Sequence, residues 1–503
     1  MASLSRKTAR GRSSRKASIE QPLSGLLLGW SKDKSASRSA VGFLPGAKQD
    51  PVPPQAQPIL LEGDGHLMTI APTGAGKGVS CIIPALLTHQ GAAIVLDPKR
   101  EITVVTARRR RELGQEVAIL DVNGATGLTT GSLNPLDFVD PSDSSGVENA
   151  AAIVAALLPY SIDSDRNRFW VSRARQLLLG TILHVASDLP PGERTLTTVR
   201  ELINRGAFNP SELAQRLSAS RHPEARLIEG NLRISAQETL GGIISFAQEG
   251  IDFLRGPQVA AATATTSFDL KKIVRGDPIT VYIVVPPHQM ESLGRVLRLW
   301  ISVLLGLVMS RRSRPQKSTL FVLDEVAQLG ELTELRTAIT LLRGFGLQTW
   351  TFFQDVSQLR HLYPRDWQTM VNNCKVIQTF GPNNLNAARE MTEIVSFPSA
   401  EKFLETSSSE MLLQQAGGDA LMVQRPDYRT DEQFAGQFDD NPLFDAGLDP
   451  LPVPNPLEGY LGVPASPIDK AAAKVREAVT PGRANPVDQL LATMIFRACL
   501  RAD

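Results

Sequence analysis

Two hydrophobic periods alternate along this 503-residue chain. Short, continuous aliphatic runs of the kind that fill buried parallel strands lie at 67–70, 92–97, 117–121, 279–285, 319–323, 348–354, 375–379 and 420–423. Helical stretches separate most of them, including one at 289–311. Between about 145 and 258 the strands stop and a helical period takes over, with candidates at 147–158, 168–187, 195–204, 210–218 and 223–254. Val171, Ala174, Leu177, Leu178 and Ile182 recur there at helical spacing. The β–α alternation on both sides predicts an α/β fold, a doubly wound sheet whose ligand sits at the carboxyl ends of the strands. The helical stretch predicts an all-α domain inserted into it. The expected organisation is a basic tail and linker over 1–57, the nucleotide-binding domain over 58–142 and 260–430, the inserted domain over 143–259, and a proline-rich linker with C-terminal helices (468–479 and 487–501) over 431–503.

Composition changes this picture little. The net charge of +1 announces no nucleic-acid partner. The exception is the first 18 residues, where Arg6, Lys7, Arg10, Arg12, Arg15 and Lys16 occur without an acid. They read as a solvated tail, or as an arm that touches DNA, a partner or an anionic surface. Arg108–Arg111 read as a solvated helix face. Cys81, Cys374 and Cys499 have no metal-like spacing and suit a reducing compartment. The apolar runs at 23–30 and 299–309 are shorter than the roughly 20 residues a spanning helix needs. The expectation is no integral membrane span and a cytoplasmic location, with peripheral attachment at the inner membrane as an option.

The chemistry lies in Ala71-Pro72-Thr73-Gly74-Ala75-Gly76-Lys77-Gly78. A strand, a tight glycine turn and a helix are what a phosphate needs: backbone N–H groups turned inward, the positive end of a helix, and a lysine for the β- and γ-phosphates. Thr73, Gly74, Ala75, Gly76, Lys77, Gly78 and Val79 are the expected nucleotide contacts. Two residues depart from the usual P-loop: Ala71 replaces its first glycine, and Gly78 replaces the Ser/Thr whose hydroxyl holds Mg²⁺. Farther on, the apolar run 320–323 ends in Asp324-Glu325. Asp324 is placed to hold Mg²⁺, and Glu325 to polarise the attacking water. Gln354, at the end of the next strand, is placed to sense the γ-phosphate or orient water. Arg343, just before that strand, is a candidate arginine finger toward a neighbouring subunit's nucleotide.

Over 65–137 and 270–430 the sequence resembles the TraG/TraD-type coupling ATPases of conjugation and type IV secretion, within the wider FtsK/HerA group. The resemblance is carried by Gly65-His66 before the P-loop, Gly78 after its lysine and Asp97-Pro98-Lys99-Arg100-Glu101. It continues with Asn134-Pro135-Leu136, Leu323-Asp324-Glu325, Gly344-Phe345-Gly346, the segment 354–359, Asn373-Cys374 and Thr379-Phe380-Gly381. It implies a RecA-like P-loop domain with an all-α insertion, ATP and Mg²⁺ as cofactors, and assembly as a homohexamer. It also implies ATP-driven delivery of a relaxase-bound single DNA strand, or of an effector protein, to a type IV secretion channel. Such proteins usually begin with two membrane helices, and here the basic tail stands in that place. Two other readings stay open: a related motor acting on protein cargo or in a mobilisation or defence complex, and an adaptor whose P-loop only switches conformation.

Overall fold

The computed structural model describes residues 25–32, 56–159, 167–234 and 237–441. The basic tail and the C-terminal helices expected from the sequence lie outside these residues. Eleven strands form one sheet: β1 (Leu26–Trp30), β2 (Pro58–Leu61), β3 (His66–Ile70), β4 (Ala93–Asp97), β5 (Glu116–Asp121), β6 (Ile279–Val284), β7 (Thr319–Leu323), β8 (Leu347–Phe353), β9 (Cys374–Thr379), β10 (Glu410–Gln415) and β11 (Leu421–Gln424). Their order is β2-β1-β11-β10-β9-β3-β8-β7-β4-β6-β5. From β9 to β5 every pairing is parallel, and the remaining pairings are antiparallel. The inner parallel strands β3, β4, β6, β7 and β8 are buried along their whole length, which accounts for their unbroken aliphatic character.

The antiparallel wing corrects the sequence reading. Residues 26–30 were expected in a linker, yet β1 is buried throughout and lies between β2 and β11. A Cβ on Gly29 would sit 3.1 Å from the Gln424 carbonyl, Met411 and Val423, so a side chain there would press on all three. Trp30 donates its indole N–H to Asp431 (2.9 Å), and Gln378 donates to the Leu28 carbonyl (3.1 Å). Residues 431–441, where the proline-rich linker was expected to begin, are likewise drawn onto the core: Asp439 pairs with Arg108 and Asn441 bonds Glu101. β1, β2 and β10 had no clear signal of their own: a glycine interrupts β1, β2 opens on a proline, and β10 is polar at both ends.

The insertion is helical as expected. Gly146–Leu157, Arg168–Asp188, Leu196–Phe208 and Pro210–Ser218 match the sequence pattern, and Pro223–Ile234 and Gln237–Ile251 fall within the expected 223–254. Val171, Ala174, Leu177, Leu178 and Ile182 are all buried. The hinge from sheet to insertion is Asn134, whose side chain caps the turn Pro135–Phe138 and donates to the Arg194 carbonyl (2.8 Å). Met290–Met309 joins the two layers: Trp300 donates to Leu133 O (3.0 Å), and Gly306 lies so close to Phe138 that a Cβ would meet its ring at 2.6 Å. Pro287–Met309 is the one described helix long and apolar enough to span a bilayer, but two thirds of its apolar window is buried within the fold. The arginine run is also corrected. Arg110 is fully buried and donates to Thr280 Oγ1 (2.9 Å) and the carbonyls of Leu86 (3.2 Å), His89 and Gly91 (2.6 Å).

Candidate functional site

Strand order assembles the site. At the carboxyl ends β3 lies between β9 and β8, and β7 between β8 and β4. Ile70 is in register with Phe353, and Leu96 with Leu323. The residues that follow these positions are therefore set side by side: the loop 71–78, Gln354, Asp324-Glu325, and Asp97 with its helix. Residues scattered over some 280 positions of sequence become one cluster because parallel register aligns strand ends.

The loop has the backbone a phosphate cradle requires. Gly74 and Gly76 have φ of +80° and +86°, a region that costs a side chain strain and glycine nothing. The helix opens with a wide π-turn, Gly78–Ile82, before Ile83–Thr88. Pro84 has no N–H to close an ordinary α-turn there, and such turns recur at functional sites. Lys77 is buried and donates to the carbonyls of Ala71 (2.8 Å) and Pro72 (3.4 Å). Burial lowers its pKa, while Glu325 and Asp324 pull it back up.

Opposite stand the acids. Asp324 is 4% exposed and its Oδ1 has no hydrogen-bond partner. Burial, then repulsion by Glu325, raises its pKa to about 6, against the pull of Lys99 and Lys77. Glu325 has φ +55°, a left-handed conformation that a non-glycine residue holds only at a cost of about 1–3 kcal/mol when its surroundings fix it. Gln354 supplies one such restraint, donating from Nε2 to Glu325 Oε2 at 2.6 Å. Asp97 accepts from Thr103 N–H and Oγ1 through Oδ2 (both 2.7 Å), which leaves Oδ1 orphaned. Its pKa rises to about 7, mainly by burial, with Glu101 and Asp324 adding to the rise.

An orphaned, buried carboxylate oxygen beside a lysine is what a divalent cation with phosphate would satisfy. Mg²⁺ fits this donor set, since it takes one or two carboxylates and completes its shell with water and phosphate oxygens. In keeping with that, no three His, Cys, Asp or Glu side chains form a self-sufficient metal cage among the described residues.

Lys77, Asp324, Glu325 and Gln354 thus meet at one edge. Arg343 does not join them. It is exposed in the turn Leu342–Phe345 before β8, whereas Gln354 follows β8. Seven residues of strand separate the two ends by roughly 20 Å. Arg343 lies too far from the P-loop of its own chain to serve it. Gly65-His66 lies at that same far end: His66 Nδ1 accepts from Thr349 N–H at 3.1 Å, fixing β3 against β8.

One residue escaped sequence reading. Arg425, just after β11, is 4% exposed and reaches under the P-loop. It donates to Ala75 O (2.5 Å), Ser80 Oγ (2.9 Å) and Ser408 O (2.8 Å) and lies 4.0 Å from the centre of the Phe380 ring. Burial lowers its pKa to about 10. No local pattern marks it, because its partners in the loop and helix, Ala75 and Ser80, lie some 345 to 350 residues away. Gly381 closes the same side; a Cβ there would touch Ala75 Cβ at 3.0 Å.

Comparison with known proteins places this geometry. A family model described as type IV secretory system conjugative DNA transfer matches residues 43–396. The conjugal transfer protein TraG of Escherichia coli is 25% identical over 399 residues, which cover 74% of this chain and 61% of TraG. Protein VirD4 of Agrobacterium fabrum is 28% identical over 317 residues, covering 59% and 44% respectively. The chain therefore spans less than two thirds of the length of these relatives. Among solved structures, the bacterial conjugative coupling protein TrwB, lacking its N-terminal 70 residues, aligns with a TM-score of 0.56 at 16% identity, over 71% of this chain and 84% of that one. TrwB has also been solved with ADP and Mg²⁺. The fold is accordingly a RecA-like α/β domain bearing an all-α insertion. With its family model matched over most of its length, the chain belongs to the type IV secretory system conjugative DNA transfer family.

Proposed function

We propose that this chain is a coupling ATPase, which binds ATP with Mg²⁺ at residues 73–79 and uses hydrolysis to bring DNA or an effector protein to a type IV secretion channel. The observation that carries this reading is the meeting of Lys77, Asp324, Glu325 and Gln354 at one strand edge. Each has a role its surroundings support. Lys77 turns from its loop carbonyls to the β- and γ-phosphates. Asp324 offers its orphaned oxygen to Mg²⁺, which when bound neutralises charge on the phosphates. Glu325 takes the proton of the attacking water, and Gln354, bonded to Oε2, orients that carboxylate. Glu325 favours a hydrolase over a pure nucleotide switch, because a switch needs no such base. The finer assignments, also proposed, are a homohexamer, a relaxase-bound single strand as cargo, and a cytoplasmic site of action at the inner membrane.

The test is ATP turnover by the purified chain with and without single- and double-stranded DNA. Turnover stimulated by DNA is expected. Turnover indifferent to DNA would favour a motor for protein cargo. Nucleotide binding without turnover would favour the adaptor.

A further inference from the structure

The loop lacks the hydroxyl that normally follows its lysine, and the structure offers a replacement. Glu101, the first residue of the helix Glu101–Glu112, points into the space above Gly78. A Cβ built on Gly78 would stand 3.2 Å from Glu101 Oε1, which is also the nearest atom to that position. The carboxylate thus lies where a side chain at position 78 would begin. It is 8% exposed, and Asn441 donates to its other oxygen, Oε2, at 3.2 Å. Its charge is felt at both Asp97 and Asp324. A separate observation points to a cation in this site: the Oδ1 of Asp324 is orphaned, on a side chain at least nine-tenths buried.

We propose that Glu101 completes the Mg²⁺-holding set, in the place that a hydroxyl at position 78 would otherwise fill. The proposal rests on the nucleotide reading of the site. It explains the pairing of two oddities, a glycine after the lysine and a buried glutamate above it. Either a hydroxyl or a carboxylate reaches this spot; a side chain at 78 and an undisturbed Glu101 would crowd one another. Exchange of a neutral ligand for an anionic one suits a hard dication. Arg100, at φ +60°, helps aim the helix start by donating to the Ala125 carbonyl (3.0 Å).

The test uses the full chain and a fluorescent ADP analogue, titrated first in EDTA and then at rising Mg²⁺. Mn²⁺ binding in the presence of ADP, followed by electron paramagnetic resonance, gives a readout independent of turnover. In Glu101→Gln, which keeps the shape and the Asn441 contact, ADP affinity in EDTA should match or exceed wild type. The Mg²⁺ concentration for half-maximal tightening should rise about tenfold or more, the scale of losing a group that supports a metal. The double variant Gly78→Ser/Glu101→Ala, which restores a hydroxyl and clears space for it, should move that midpoint back toward wild type from the position of Glu101→Ala. An unchanged midpoint in Glu101→Gln overturns the proposal and leaves the nucleotide site standing. Loss of ADP binding in EDTA assigns Glu101 to loop shape and overturns it too. A wild-type chain that binds no ADP overturns the nucleotide reading itself.

Discussion

The two ends of the parallel strands bury polar groups in opposite ways. At the amino ends, charge is saturated. Arg110 donates to three carbonyls and a hydroxyl around β4 and β6. Arg311 donates to the carbonyls of Ile273, Val274, Phe345 and Gly346 and to Thr319 Oγ1, around β7 and β8. Each guanidinium sews loop carbonyls to strand starts. The imidazoles there, His66 and His89, keep an unpaired Nε2, but burial lowers their pKa to about 4 and about 3, so they stay neutral. At the carboxyl ends, charge is left unfinished: Asp97 and Asp324 each hold an oxygen without a partner, and Glu325 sits in a left-handed conformation. A buried carboxylate without a partner is costly as an anion, which is why the pKa values of both acids are raised and why a cation would be well placed there. The saturated end holds the fold, and the unsaturated end is the place for chemistry.

The largest expected effect breaks the unsaturated end. Lys77→Ala removes the one buried ammonium there, and nucleotide-dependent activity should disappear; retained ATP affinity and turnover would remove the P-loop assignment. Glu325→Gln should bind nucleotide nearly normally while hydrolysis falls about 10²-fold or more, the scale of losing a positioned base. Wild-type turnover in that variant would place water activation elsewhere.

Arg343 offers a sharper test, because it belongs to the amino end by position and to the carboxyl end by proposed role. If it serves a neighbour's nucleotide, mixing inactive Arg343→Ala subunits with inactive Glu325→Gln subunits should restore part of the activity. Some interfaces then pair a wild-type Glu325 with a wild-type Arg343, and a finger is worth about 10³–10⁵ in rate. Mixed rings that form yet stay inactive would refute the role in trans.

At the saturated end the expected effects are on stability. Arg110→Ala leaves several buried acceptors unpaired, each costing about 1–3 kcal/mol, so unfolding should be easier by about 3 kcal/mol or more. Turnover per folded molecule should hold at low temperature. Loss of turnover without loss of stability would blur the division between the two ends. The smallest effect concerns His66. Its folded pKa of about 4 lies below the ordinary 6.5, so the unfolded chain binds the proton first. Stability is therefore full above pH 6.5 and declines as pH falls toward 4, by about 2 kcal/mol at pH 5. His66→Asn, which keeps an acceptor for Thr349, should flatten the dependence of melting temperature on pH across that window. An unaltered slope would assign acid sensitivity to other groups.

Much of the molecule was legible one segment at a time. The aliphatic runs of β3, β4, β7 and β8 marked parallel strands because a strand buried on both faces has no polar alternation. The P-loop was readable because phosphate binding needs glycines and a lysine in contiguous order, and Val171 to Ile182 showed a helix because one face must be apolar. β1 and β2 were not legible: Gly29 interrupts the short apolar run of β1, whose place is set by its neighbours β2 and β11, and β2 is four residues opening on a proline.

What the sequence determined by itself was therefore local: strand, loop, helix, and the acids that end β7. The tertiary structure decided how these stand to one another. It buried Arg110 out of a run that reads as solvated, because consecutive helical side chains point about 100° apart and four in a row cannot share one face. It put Arg343 at the wrong end of β8 for its own P-loop, through strand direction alone. It brought Arg425 under the loop and Glu101 above Gly78, contacts across some 350 and 23 positions that no spacing rule encodes. Parallel register supplies the physical reason: it aligns strand ends irrespective of the sequence between them, so the chemistry of an edge is fixed only once the strand order is.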